Sequence, residues 1–225
     1  MSKFLLTLLI LGAGLCAAHY LAPPRWLPWK PLVLADPPGF WTNWKLSVLA
    51  EAPQTCRRVL REANVRFTPI ADGQTGDACG FDNAMLVNRV AITLAPAAPK
   101  LACPMVAGTE LWLRDVVQPA ALAHFDSQVS RVQHFGTYSC RNVAGTSRRS
   151  EHATANAIDV AAFTLADGRV ISVLKDWDGK QDAQAFLREV RDGACDIFSV
   201  TLSPDYNAAH RDHFHVDLGL WQRCG

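Results

Sequence analysis

His213-Phe214-His215-Val216-Asp217-Leu218 alternates polar and apolar side chains. In an extended chain, residues two apart share a face. Phe214, Val216 and Leu218 therefore point one way, and His213, His215 and Asp217 the other. The spacing predicts a strand over 213–218 with two imidazoles side by side on its polar face. Upstream, Ala157-Ile158-Asp159-Val160-Ala161 reads as part of a second strand, over 157–163. Ile158 and Val160 take one side; Ala157, Asp159 and Ala161 take the other. A carboxylate among apolar neighbours needs a partner, because burying an unpaired charge is costly. A cation would serve, and so would an arginine.

Outward from these two segments, strands are predicted at 170–174, after the Asp167-Gly168 turn, and at 197–202. Val65 and Phe67 begin another strand. Val90, Ile92 and Leu94 alternate as a further one, ended by Pro96 and Pro99. Helical spacing of Val48, Ala52, Val59 and Ala63 predicts a helix over 48–63, with Pro53 either kinking it or marking its true start. A second helix is expected over 107–126, interrupted at Pro119. Ala183, Phe186, Leu187 and Val190 make the clearest amphipathic one. Residues 71–83 and 142–149 read as loops. Helices and strands mix without βαβ regularity, so the expected fold is α+β, an antiparallel sheet with flanking helices.

The chain has 225 residues, 49% of them hydrophobic, which suits one domain over 44–225 plus accessory segments. Lys3 followed by an apolar run from Phe4 to Ala18 has the layout of a signal peptide or an N-terminal membrane anchor over 1–22. Leu15 before Cys16 argues against lipoprotein-type cleavage. Six prolines between 23 and 38 predict a semi-rigid linker over 23–43. Its tryptophans, with Trp44 just beyond, are expected to pack on the domain rather than form an interfacial belt. Cys56, Cys79, Cys103, Cys140, Cys195 and Cys224 form no C-x-x-C pair. In an exported domain they read as three disulfides of open connectivity rather than a metal ribbon or a catalytic thiol. A net charge of +1 leaves no basic field for nucleic acid.

The chain lacks H-E-x-x-H, G-x-S-x-G, P-loop and G-x-G-x-x-G signatures. Its chemistry lies in the histidines. His152 stands alone with Asp159, while His210, His213 and His215 fall within six residues. A bare H-x-H on a strand is more often incidental than functional. Joined to His152 and Asp159, however, it supplies three ligands with an open fourth position, the arrangement of a catalytic zinc on the sheet.

Tyr138-Ser139-Cys140-Arg141, Ser150-Glu151-His152, Ala157-Ile158-Asp159-Val160 and the long run Pro204-Asp205-Tyr206-Asn207-Ala208-Ala209-His210-Arg211-Asp212-His213-Phe214-His215 resemble the characteristic runs of the bacterial extensin-like C-terminal domain family. That family is a branch of the fold group of D-alanyl-D-alanine carboxypeptidases, murein endopeptidases and hedgehog-like domains. The resemblance covers 44–225 and includes the six cysteines. It implies Zn2+ held by His152, Asp159 and His215. It also implies His213 as base or transition-state stabiliser, and Arg141 as the group that holds substrate and polarises its carbonyl. The implied activity is hydrolysis of peptide bonds in peptidoglycan stem peptides or cross-links, by an exported, periplasmic protein tethered to the inner membrane if residues 4–22 are retained. Ala155 stands where the pattern usually has Gly, and the Glu-x-x-His end of the carboxypeptidases is missing.

The same resemblance admits a non-catalytic envelope module that binds muropeptide around a structural or vestigial metal site. Glu151 is the weaker candidate for the base. Asp217 lies on the site face by parity and is placed to orient His215. His124 and His134 have no partner at useful spacing, and Trp112 reads as core.

Overall fold

Proline placement sets several helix boundaries in the computed structural model, which describes residues 2–74 and 79–225. The apolar N-terminal run forms α1, Ser2–Leu21. Pro53 sits in the first turn of a helix, where its missing N–H has no partner to lose. The helix expected over 48–63 is therefore two, α2 at Thr42–Ala50 and α3 at Pro53–Glu62. Pro104 likewise opens α4, Cys103–Trp112. Pro119 does not break the stretch that follows. Leu113–Val117 widens into a π-turn and the helix continues as α5, Gln118–Phe125. Proline cannot donate to the carbonyl four residues back and its ring crowds that carbonyl; the wider turn relieves both. Val173–Asp176 is α6, so the strand expected over 170–174 stops at Ser172. Gln181–Cys195 is α7, and it buries Ala183, Phe186, Leu187 and Val190 as its periodicity predicts.

The first strands are short. Arg66–Pro69 is β1, Gly73–Gln74 is β2, Gly80–Phe81 is β3 and Ala84–Arg89 is β4. β2 and β3 pair antiparallel inside the segment expected to be a loop, whose residues 75–78 lie outside the described ones. The alternation at 90–94 proves to be a bend. Val90 and Ile92 are buried there, but the strand resumes only at β5, Thr93–Ala95. Lys100–Ala102 is β6, and β1, β4 and β6 make a three-stranded sheet.

The site belongs to the larger sheet. It comprises β5, β7 (Val129–Gly136), β8 (Ala157–Leu165), β9 (Val170–Ser172), β10 (Val200–Leu202), β11 (Phe214–Asp217) and β12 (Arg223–Cys224). Its order is β12-β10-β11-β8-β7-β5, with β9 also on β8. The interior pairs are antiparallel, but β5 on β7 and β12 on β10 run parallel, so the sheet is mixed. β7 escapes the alternation rule because its register against β8 shifts three times, and each bulge resets which side chains face inward.

Trp112, Phe163, Phe186 and Phe214 fill the core between sheet and helices, and the Trp112 indole donates to the Val190 carbonyl at 2.9 Å. Disulfides join Cys56 to Cys103, Cys79 to Cys140, and Cys195 to Cys224. Cys16 is free and exposed on α1. Within 23–43 it is Leu32 and Leu34 that join the core; Trp41 is half-buried, while Trp26 and Trp29, like Trp44 beyond them, stay exposed rather than packing on the domain.

Two histidines expected to be partnerless have partners. His124 meets Glu189 at 2.8 Å. His134 is buried on β7, where its Nε2–H donates to the Pro96 carbonyl at 2.8 Å while its Nδ1 has no hydrogen-bond partner among the described residues. Burial holds its pKa below the usual 6.5, only partly offset by the Pro96 carbonyl and the Asp159 charge. The unfolded chain therefore takes up this proton near pH 6.5 while the folded chain resists it. Stability contributed above that pH is lost as pH falls toward the lowered folded value, by at most about 1.4 kcal/mol per unit. Urea titrations from pH 7.5 to 5 should show a shallower decline for His134→Gln than for the parent chain. Parallel declines would remove His134 from the account.

Candidate metal centre

Strand register places two of the three presumed ligands opposite each other. His215 pairs directly with Asp159 across β11 and β8, on the face away from Phe214 and Val160. On the other edge of β8, Asp159 lies opposite Gly136, where even an added Cβ would meet nothing within 4 Å. The face beside the carboxylate is thus open. His152 arrives from a different direction, on a 3-10 turn over Glu151–Thr154. Ser150 caps that turn by accepting from the His152 amide at 3.3 Å. Ala155 ends it with φ 58°, a left-handed conformation natural to glycine, and passes the chain into β8. The usual Gly of the pattern therefore has a backbone reason, which Ala155 meets under strain.

Hydrogen bonding fixes the direction of each imidazole. A carbonyl only accepts, so the Thr137 oxygen, 3.0 Å from His152 Nδ1, holds the proton there and leaves the Nε2 lone pair facing inward. Asp217 Oδ2 does the same for His215 at 2.8 Å from Nε2, leaving Nδ1 inward. Asp217 is buried and its other oxygen accepts from the Gly219 amide at 2.8 Å. The expected orienting role of Asp217 is therefore present in the geometry. His152 Nε2, His215 Nδ1 and Asp159 Oδ1 stand 3.2, 2.9 and 3.1 Å apart.

Three acceptors at those separations repel one another unless a proton or a cation sits among them. In the metal-free chain a proton on His215 serves. Burial alone would raise the Asp159 pKa, but the neighbouring His152 and His215 imidazoles outweigh it and hold the carboxylate far below its usual range. Burial would lower that of His215, but Asp159 and Asp217 push it up to about 9. The donor set also suits a divalent ion. Tetrahedral ligands at ~2.0–2.1 Å from zinc lie roughly 3.3 Å apart, close to the spacings found. Among the described residues His152, Asp159 and His215 form one group able to hold a metal, all three ligand atoms lying within 4.8 Å of one another.

His213 stands at the edge of this group, its Nε2 3.6 Å from Asp159 Oδ1. Its Nδ1 meets Asp212 Oδ1 at 2.8 Å, so the carboxylate holds one proton and turns the other nitrogen toward the cluster. His210 stacks near both, with ring centroids 5.3 Å from His213 and 6.0 Å from His215. Burial, then the neighbouring imidazoles, push its pKa down to about 4. Arg141 is exposed beside the cluster, close enough for its charge to add to that depression, and its carbonyl accepts from the Ser150 amide at 3.2 Å. Glu151 is engaged elsewhere, accepting from the Asn156 amide group at 2.8 Å.

Three contributors escape a sequence reading. Thr137 acts through its carbonyl, which leaves no residue-type signal, and the open space at Gly136 counts only because β7 sets it opposite Asp159. Asp212 did leave one, standing next to His213 in the quoted run. Comparison with known proteins gives one finding of substance: the model of the family described as extensin-like protein C-terminus matches residues 54–225. No curated protein and no solved structure matches the chain.

Proposed function

The chain belongs to the extensin-like protein C-terminal family, and from that premise we propose that it is a zinc-dependent hydrolase of peptide bonds in peptidoglycan stem peptides or cross-links. The observation that carries the reading is the convergence of two oriented imidazole nitrogens and a carboxylate oxygen within 2.9–3.2 Å. Three protein ligands with an open side suit a catalytic rather than a structural site. The substrate class follows from the likeness of the His210-x-x-His213-x-His215 run to murein endopeptidases. An exposed apolar α1 that fits a signal peptide or anchor, together with three disulfides, accords with an exported, periplasmic chain that meets such peptides.

Bound here, zinc supplies a Lewis acid that acidifies water and polarises a carbonyl. His213 Nε2 accepts the proton of the attacking water and returns it to the leaving amine. Asp212 keeps that nitrogen aimed at the cluster and stabilises the imidazolium between the two transfers. Arg141 binds the carbonyl oxygen as negative charge builds on it, a contribution typically of ~3–4 kcal/mol per donor.

Purified protein incubated with muropeptides should release amine products in zinc and none in chelator, read by mass spectrometry. His213→Ala should retain stoichiometric zinc by elemental analysis while turnover falls by ~10²–10⁴. His215→Ala should lose both. Intact muropeptides that bind the zinc-loaded chain would instead assign the non-catalytic envelope module.

A further inference from the structure

We propose that the folded domain docks on a bilayer surface through an aromatic face at the root of α1, formed by Trp26, Trp29, Phe40, Trp44, Leu220 and Trp221. All six side chains are exposed, Phe40 at 89%, Leu220 at 98% and Trp221 at 70%. They come from three stretches of chain that side-chain and backbone contacts stitch together. The Lys30 ammonium donates to the Ala22 carbonyl at 2.8 Å, and Lys45 on α2 donates to the Pro24 carbonyl. Gly39, just before Phe40, packs so closely on Arg25 that a Cβ there would lie 3.3 Å from the Arg25 carbonyl oxygen. The Gln222 amide donates to Asn43 on α2 at 3.2 Å, which ties the stretch carrying Leu220 and Trp221 to the helix carrying Trp44.

The occupant follows from what the face adjoins. α1 is apolar, exposed along its length, and at 20 residues spans ~30 Å, the thickness of a bilayer core. Trp26 follows its end by five residues, and the bonds at Ala22 and Pro24 hold the domain against that exit rather than away from it. Indole rings favour the membrane–water boundary. Of the cations near this face, Arg25 is exposed, while Lys30 and the buried Lys45 spend their ammonium groups on the Ala22 and Pro24 carbonyls and so hold the domain to the root of α1. The same loop borders the candidate metal centre: a Cβ on Gly219 would meet Glu151 Oε1 at 2.8 Å and Asp217 Oδ1 at 3.1 Å. Docking would set that centre beside the bilayer surface. None of this depends on the hydrolase reading, and the readout below involves no activity.

The test uses the full chain with Cys16→Ala, reconstituted in liposomes of phosphatidylethanolamine and phosphatidylglycerol. Nitroxides are placed at Leu220→Cys and Phe40→Cys, with Ala166→Cys, exposed at the far end of β8, as the aqueous reference. Collision with oxygen should exceed collision with an aqueous nickel reagent severalfold more at 220 and 40 than at 166. Aqueous values at both positions would overturn the proposal. So would low collision with both reagents together with dipolar broadening that disappears on dilution with unlabelled chain, which would mean a second copy covers the face.

Discussion

Asp159→Ala is expected to abolish stoichiometric zinc binding and, with it, any hydrolysis that depends on the ion. The substitution removes one of three donors and leaves two imidazoles whose lone pairs face each other 3.2 Å apart. Asp217→Asn provides the graded comparison. It keeps an acceptor near His215 Nε2 but removes the charge that makes the ring a better donor. Loss of such a supporting partner typically costs ~10–100-fold in metal affinity, and Asp159→Ala should exceed that range. Competition titration against a chromophoric chelator measures both. If Asp159→Ala held zinc as tightly as the parent chain, the ligand set would be wrong. If Asp217→Asn bound like the parent while Asp159→Ala did not, only the orienting role would fall.

That such a prediction can be framed owes much to the period-two pattern in two segments. Alternation at 213–218 and at 157–161 puts His215 and Asp159 each on a definite face, and the antiparallel register of β11 on β8 sets those faces side by side. Parity within a strand is local, so the sequence displays it. Which strands become neighbours depends on contacts between remote residues, and no local pattern shows that β5 and β12 add in parallel. β7 is hidden for a related reason, since its bulges break the alternation by which a strand is recognised. The bend at Val90–Ile92 errs in the other direction: apolar alternation there serves core burial without strand pairing.

The site divides along the same line. The proposed ligands announce themselves by residue type, as histidine and aspartate in an apolar setting. The groups that hold them do not. The Thr137 carbonyl could belong to any residue, and the open side over Gly136 depends on which residue lies opposite Asp159. Ala155 is the exception, because its departure from the usual glycine coincides with its φ of 58°. A sequence difference and a backbone strain there point to the same atom. The cysteines show the limit most plainly: their even number argues for disulfides, but only the fold selects the partners.

Those partners lead to a further expected result, in which two disulfides of similar thermodynamic weight differ in what else they hold. Cys56–Cys103 and Cys79–Cys140 close sequence separations of 47 and 61 residues. On the chain-entropy account each contributes about 4 kcal/mol by restricting the unfolded ensemble, a large share of the ~5–15 kcal/mol that stabilises a typical domain. Cys56→Ala with Cys103→Ala, and Cys79→Ala with Cys140→Ala, should therefore lower the unfolding free energy comparably in urea titrations. Zinc affinity should separate them. Cys140 lies in the strap that presents the Thr137 carbonyl to His152, donates from the Ser139 amide to the His152 carbonyl, and accepts from Ser150 at Arg141. Detached from Cys79, that strap loses its covalent tether and His152 its fixed direction. Among the described residues Cys103 is tied to the site by one bond only, from the Ala102 amide before it to the Ala155 carbonyl at 2.8 Å, and that bond does not need the disulfide. The Cys103 amide stays bonded to the Asn83 carbonyl, and β6 before it stays paired with β4, so loss of this disulfide should leave the ligands in place. Affinity falling at least tenfold in the Cys79/Cys140 variant alone would tie the strap to the site; equal affinities in the two folded variants would show that the backbone bonds around His152 suffice without the disulfide.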